Sequence, residues 1–109
     1  MTVWKERKLI ARIWRGVTPA RKADDYLAYL EATGLKDYRA TPGNRGAQVL
    51  RRIVGDEAEF VLTSLWDSFD AIRAFAGDDY ERAVYYPADK NFLLALAPHV
   101  DHFAVAARR

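Results

Sequence analysis

No cysteine occurs among the 109 residues, which removes disulfides, thiol catalysis and cysteinyl metal sites together. Histidine is nearly as scarce: only His99 and His102, three positions apart. On a strand that spacing sends two side chains to opposite faces, with Asp101 siding with His99, so no metal site is expected. No apolar run approaches the ~18 residues of a membrane helix, and MTVWKERK at the N-terminus is not followed by a signal-peptide core. A cytoplasmic protein without a membrane partner is the expectation. An excess of one charge is also missing, since 17 Lys and Arg stand against 15 Asp and Glu, a net of +2. The basic residues are scattered, with Arg51-Arg52 and Arg108-Arg109 as the adjacent arginine pairs. Nucleic-acid binding draws on a concentrated basic face, so no nucleic-acid partner is expected. There is no Ser-His-Asp signature, phosphate-binding glycine loop or dinucleotide fingerprint, and Gly43-Asn44-Arg45-Gly46 reads as a turn.

What the chain does have is apolar and aromatic. Half of it is hydrophobic, with three Trp, six Tyr and five Phe. At this length one domain, residues 1–109, can bury a continuous core without staples. The most informative stretch is Phe60 to Gly77, FVLTSLWDSFDAIRAFAG. Its hydrophobic period changes from two to about 3.6 within three residues. Phe60, Leu62, Ser64 and Trp66 share one strand face. Asp67 and Ser68 offer acceptors to a starting helix, Phe69, Ile72, Phe75 and Ala76 make its stripe, and Gly77 ends it.

Earlier in the chain, residues 9–15 (LIARIWR) read as a strand with Ile10, Arg12 and Trp14 on one face. Its opposite face, Leu9, Ala11, Ile13 and Arg15, is also largely apolar, so a second covering layer is needed. Thr18-Pro19 reads as the cap and first turn of a helix carrying Ala23, Tyr26, Leu27 and Leu30, ended by Gly34. Leu35 to Gly46 reads as a loop. Ala47–Val54 and Ala58–Trp66, joined by Gly55-Asp56-Glu57, make an antiparallel hairpin. Asp78 or Asp79 opens a further turn with Tyr80, Ala83 and Val84, interrupted by Tyr85-Tyr86-Pro87. Ala88–Leu96 fits either a short helix or an irregular packed segment, and His99–Ala106 is a last strand. The order strand, helix, strand, strand, helix, strand is the split βαβ pattern of an α+β, ferredoxin-like fold with a four-stranded antiparallel sheet. Its uncovered face predicts a two-fold homodimer.

With this element order, the corner LWDSFDAIRAFAG at 65–77 and the closing HVDHFAV at 99–105, the chain resembles the antibiotic biosynthesis monooxygenase-like family of dimeric α+β barrels. That resemblance implies a small apolar or aromatic ligand. It also implies chemistry ranging from cofactor-independent oxygenation of aromatic polyketides to haem degradation, with many members of no known activity. Trp66 matches the family's Trp at the corner. The quinone-forming oxygenases carry Asn four residues earlier, where this chain has Leu62. The haem-degrading members' helix His has no counterpart between Phe69 and Val84, nor has their first-strand Asn, so haem degradation is the weakest of these implications.

Four residues are candidates for chemistry. Trp66 would wall a flat pocket or anchor the core. Arg12 would hold a phenolate or enolate oxygen, or sit in an ion pair between strands or subunits. His102 would act as a general base or be a hydrogen-bonded edge residue. Tyr86, in the connection after the second helix, would bond a substrate oxygen and lid the pocket. They could fill the roles in the activity that the resemblance implies, a cofactor-independent monooxygenase acting on an aromatic or polyketide-like molecule, with no cofactor required. The alternative is a non-catalytic dimeric module for ligand binding or assembly. An enclosed void of ~300 Å³ or more by Trp66, the second helix and the last strand would mark a ligand site. A core packed to normal density there would sink the enzyme reading in that form and leave a structural dimer.

Overall fold

The structure is a computed structural model that describes residues 8–108; the leader reading concerns residues 1–7 and lies outside them. Strand β1 (Ile10–Pro19) leads through a 3₁₀ turn (Ala20–Lys22) into helices α1 (Ala23–Ala32) and α2 (Gly34–Ala40). Strands β2 (Asn44–Val54) and β3 (Glu57–Trp66) follow, then α3 (Phe69–Ala76), a 3₁₀ turn at Asp89–Asn91 and β4 (Asp101–Ala104). The four strands form one sheet in the order β2-β3-β1-β4, and every pairing is antiparallel. The fold is ferredoxin-like α+β, as the sequence pattern predicts. Among the described residues no helix is long and apolar enough to cross a membrane.

Alternation along β3 decides which face is the core. Ala58, Phe60, Leu62, Ser64 and Trp66 are all buried and their neighbours are not. They meet Tyr26 and Leu30 of α1, Tyr38 of α2 and Ile72 of α3 in one cluster. Burial of each large side chain contributes roughly 1.5–3 kcal/mol, so this face holds the helices to the sheet. The strand-to-helix corner forms as expected. The Ser68 hydroxyl accepts from the Ala71 amide at 3.1 Å, and Gly77 closes α3 at φ 86°, a conformation that favours glycine. Asp67 takes no part in capping; it binds Arg45 across the β2 entry at 2.6 Å.

Several sequence expectations are corrected. Thr18-Pro19 does not open a helix, because β1 continues through both in register with Ala58 and Glu57. Proline is tolerated at a strand end, where its missing N–H costs no ladder bond, and Thr18 donates to the Pro19 carbonyl instead of capping. Gly34 does not end the helical region. The chain breaks at Thr33, whose hydroxyl turns back to the Tyr29 carbonyl at 2.7 Å, and Gly34 begins α2. The stretch assigned to a loop from Leu35 is therefore helical to Ala40. A turn does form at residues 80–81, as the sequence suggests, but the last strand is shorter than His99–Ala106, with His99 in an isolated bridge to Arg82.

Candidate functional site

The site grows from the middle of β1. Arg12 stands opposite Ser64 on β3 and opposite His102 on β4, so all three fall on the helix-covered side of the sheet. Only 1% of Arg12 is exposed. A buried guanidinium needs partners for its charge and for its five N–H donors. Nη1 donates to the Tyr80 carbonyl and lies 3.1 Å from His102 Nε2, and Nη2 donates to the Arg82 carbonyl at 3.2 Å. Nε has no partner. The ion pair between strands that the sequence suggests for Arg12 is not formed: among the described residues no carboxylate of the same chain pairs with it. Two carbonyls and an imidazole position the fork without neutralising it. Burial pulls the guanidinium below its ordinary range, with Tyr38 opposing the shift.

Tyr38 brings the second polar group. Its ring packs edge-on against Trp66 (5.7 Å between centroids) and Phe75 (4.5 Å), and the Arg12 guanidinium lies 5.7 Å over the same Phe75 ring. Burial raises the phenol's pKa, and the Arg12 charge, together with hydrogen bonding to Arg12 and Ser64, holds part of that rise back. The phenol is therefore neutral and able to donate at neutral pH. Ser64 is itself oriented, accepting from Trp66 Nε1 at 2.9 Å.

Arg12, Trp14, Tyr38, Phe75, Tyr85 and Tyr86 are among the residues enclosing a cavity between sheet and helices. Its volume is about 20 Å³, room for about one water. The ligand-sized void expected of an open site is thus absent, because the aromatic rings fill the space. The segment from Val84 to Asp89 forms its outer wall and is tied down at several points. Tyr86 donates its hydroxyl to Asp37, and Asp89, itself buried, accepts from the Tyr26 hydroxyl (2.9 Å) and the Tyr86 amide (2.6 Å). Burial first, then the Asp37 carboxylate, drives the Tyr86 phenol upward, so it is also a neutral donor.

Of the four sequence candidates, Arg12 and Tyr86 line this cavity and Trp66 and His102 do not. Trp66 is wholly buried behind Tyr38 and Phe75, where it anchors the core and holds Ser64. His102 faces an open depression of about 320 Å³ with Phe69, Tyr80, Glu81 and Asp101. Because arginine only donates, the contact with Arg12 makes His102 Nε2 an acceptor and assigns the proton to Nδ1. Nε2 is thus engaged in holding Arg12. Tyr38 and Trp14 are the residues sequence reasoning left out of the site; Tyr38 lay in the stretch read as loop, and a helical reading from Gly34 would have placed it inward.

The His102 contact carries a pH prediction. Burial and the Arg12 charge lower its pKa below the ordinary 6.5, against the opposing pull of Glu81 and Asp101. The unfolded chain therefore takes up the proton first as pH falls. Stability is full above about pH 6.5 and declines as pH drops through the folded value. Urea unfolding at pH 7.5 and pH 5 should show this loss, and His102→Gln should show less of it. Equal losses in both proteins would assign the decline to other groups.

No protein-family model matches the chain, and no curated protein matches it. Solved structures do match. A candidate antibiotic biosynthesis monooxygenase from Bacillus cereus superposes with TM-score 0.61 at 15% identity, covering 94% of this chain and 97% of that one. The chain has the antibiotic biosynthesis monooxygenase-like fold. A haem-degrading protein of Mycobacterium tuberculosis shares it with TM-score 0.60 at 24% identity, over 93% of this chain and 98% of that one. A cofactor-independent oxygenase from Streptomyces nogalater shares it with TM-score 0.51 at 18% identity, over 94% and 95%. These neighbours perform different chemistry on one scaffold, so the site and not the fold has to discriminate function.

Proposed function

We propose that the chain is a small oxygenase-like protein that binds an electron-rich aromatic molecule through an anionic oxygen, in the space between sheet and helices. The observation that carries this reading is Arg12, a buried guanidinium with an unpartnered Nε and no carboxylate, on the wall of an aromatic-lined cavity. A phenolate or enolate would complete its bonding and supply the missing negative charge. Tyr38 would add a neutral donor to the same oxygen, and aromatic walls suit a flat ring. Such a carbanion or enolate can reduce dioxygen without metal or flavin. An activated ring methylene loses two hydrogens and gains one oxygen atom, and the second oxygen leaves as water, so the electrons come from the substrate. Arg12 would favour the anion that begins this sequence. The cavity takes about one water as it stands, so a ligand of this size requires the aromatic walls to rearrange.

The packed cavity favours a second reading, a non-catalytic dimeric module for ligand binding or assembly. Titration separates the two. The protein should quench its tryptophan fluorescence on binding 1-hydroxy-2-naphthoate, and should accelerate oxygen uptake by 1,8-dihydroxyanthrone with one O₂ consumed per molecule. Binding without uptake would leave the ligand module. Neither would leave assembly.

Both readings include a homodimer. The outer sheet face carries Ala11, Ile13, Val17, Leu50, Val61, Leu65 and Phe103 by register, interspersed with the ion pairs Arg15–Asp101 and Arg52–Glu59, with Leu50 and Phe103 about half exposed. Among the described residues no helix covers it, and a second copy of the chain would bury its apolar part. Sedimentation should give twice the 12.4 kDa chain mass. A monomer at micromolar concentration would contradict the dimer.

A further inference from the structure

The water-sized cavity has a chemistry of its own, separate from any larger ligand. At one end of it stands the Arg12 guanidinium, 99% buried by exposure, with Nε–H unpartnered. Beside it stands Tyr38, which lines the same cavity and packs on the same Phe75 ring. Arginine can only donate, and the Tyr38 hydroxyl has one rotatable proton to offer. The rest of the wall is largely aromatic or aliphatic, including Trp14, Leu30, Leu62, Val84 and Val100. The wall's one carboxylate, Asp89, is bound by the Tyr26 hydroxyl and the Tyr86 amide, and it is not among the charges acting on Arg12. The space therefore combines an uncompensated positive charge, two donor side chains on its wall and a volume of about 20 Å³. Water would satisfy the N–H but leave the charge without a counterion, and in a low-dielectric interior that deficit is costly.

We infer that the protein holds a monatomic anion, chloride under ordinary conditions, between Arg12 Nε and the Tyr38 hydroxyl. The ion completes the guanidinium's bonding and neutralises it. It also makes larger anionic ligands compete with halide, since both claim the same N–H. The site is built from groups that the sheet and α2 already fix: Arg12 is held by two carbonyls and His102, and Tyr38 by Trp66 and Phe75. It does not depend on the aromatic ligand proposed above, and the two stand or fall on different measurements.

Crystals grown or soaked in sodium bromide provide the direct test on the unmodified protein. An anomalous peak is expected in the cavity between Arg12 and Tyr38. In solution, exchanging sodium gluconate for sodium bromide at constant ionic strength should raise the melting temperature. At ten times the ion's Kd the rise should be roughly 5 °C, since gluconate is too large to enter. Tyr38→Phe, which keeps the ring packing, should lose most of this shift, and Arg12→Met should lose it entirely. A cavity without anomalous density would overturn the inference and assign the space to water. So would a bromide shift that Tyr38→Phe and Arg12→Met both retain, because the ion would then lie elsewhere. Should Arg12→Met fail to fold, the bromide peak and the Tyr38→Phe comparison still decide the matter.

Discussion

Replacing Arg12 by Met is expected to weaken binding of 1-hydroxy-2-naphthoate by about 100-fold, on the order of 3 kcal/mol, the upper range for a hydrogen bond to a charged group. The reason is geometric as much as electrostatic. The guanidinium is already held by the Tyr80 and Arg82 carbonyls and by His102, so little rotamer entropy remains to be lost when a ligand arrives. Its burial leaves the charge weakly screened. Met fills a similar volume without donors, which isolates the loss to the polar interaction. Arg12→Lys gives the sharper contrast, because it keeps the charge and discards the planar fork. Its affinity should fall between those of wild type and Arg12→Met. Fluorescence titration measures all three, with circular dichroism to verify folding. A neutral analogue, 1-methoxynaphthalene, should bind wild type and Arg12→Met alike. If the anionic probe also bound them alike, Arg12 would be a structural residue whose unpaired Nε is incidental, and the oxygenase reading would lose its chief support.

The second large effect falls on stability. Trp66→Ala is expected to cost about 3–5 kcal/mol, as truncation of a fully buried aromatic generally does. Trp66 is 0% exposed and packs against both Tyr38 and Phe75. It also donates to Ser64, so truncation opens a void and leaves a buried hydroxyl without its donor. Losses of that size are a large part of the total for a domain this small. Trp66→Phe should lose less stability and should bind the naphthoate probe within about threefold of wild type, a difference below ~0.7 kcal/mol. Chemical denaturation and the same titration provide both readings. A Trp66→Phe protein that stays stable but loses the probe would return Trp66 to the binding surface, as the resemblance at the strand-to-helix corner first suggested.

Local signals in this chain were reliable where one residue type has one physical use. Alternation at Phe60, Leu62, Ser64 and Trp66 marked the inward face of β3 because a strand's side chains have a period of two. Ser68 and Gly77 marked the ends of α3 because a helix start needs acceptors and its end favours positive φ. Gly55 and its neighbours marked a hairpin. The element order then limited the fold to one familiar topology. Elsewhere the same signals misled. Thr18-Pro19 carries a good helix-start pattern, yet pairing with Glu57 and Ala58 holds it in the sheet. Gly34 carries a helix-stop signal, yet it opens α2. At Thr18-Pro19 contacts from residues distant in sequence outweighed a local preference worth about 1 kcal/mol, while at Gly34 the break had already come one residue earlier, at Thr33.

The sequence by itself determined the α+β class, the strand-to-helix corner and the presence of a lone arginine on a strand face. Tertiary structure alone decided what that arginine meets. Sequence pairs Arg12 with no acid or acceptor in particular; the sheet order brings β4 beside β1 and so sets His102 against it, while the return of the chain after α3 supplies the carbonyls of Tyr80 and Arg82. The tertiary structure also moved Trp66 out of the site and Tyr38 into it, by packing one ring behind the other. Charge, burial and volume at a site depend on which distant segments arrive there. Those arrivals follow from the packing of the whole chain, and a local pattern of residues has no access to them.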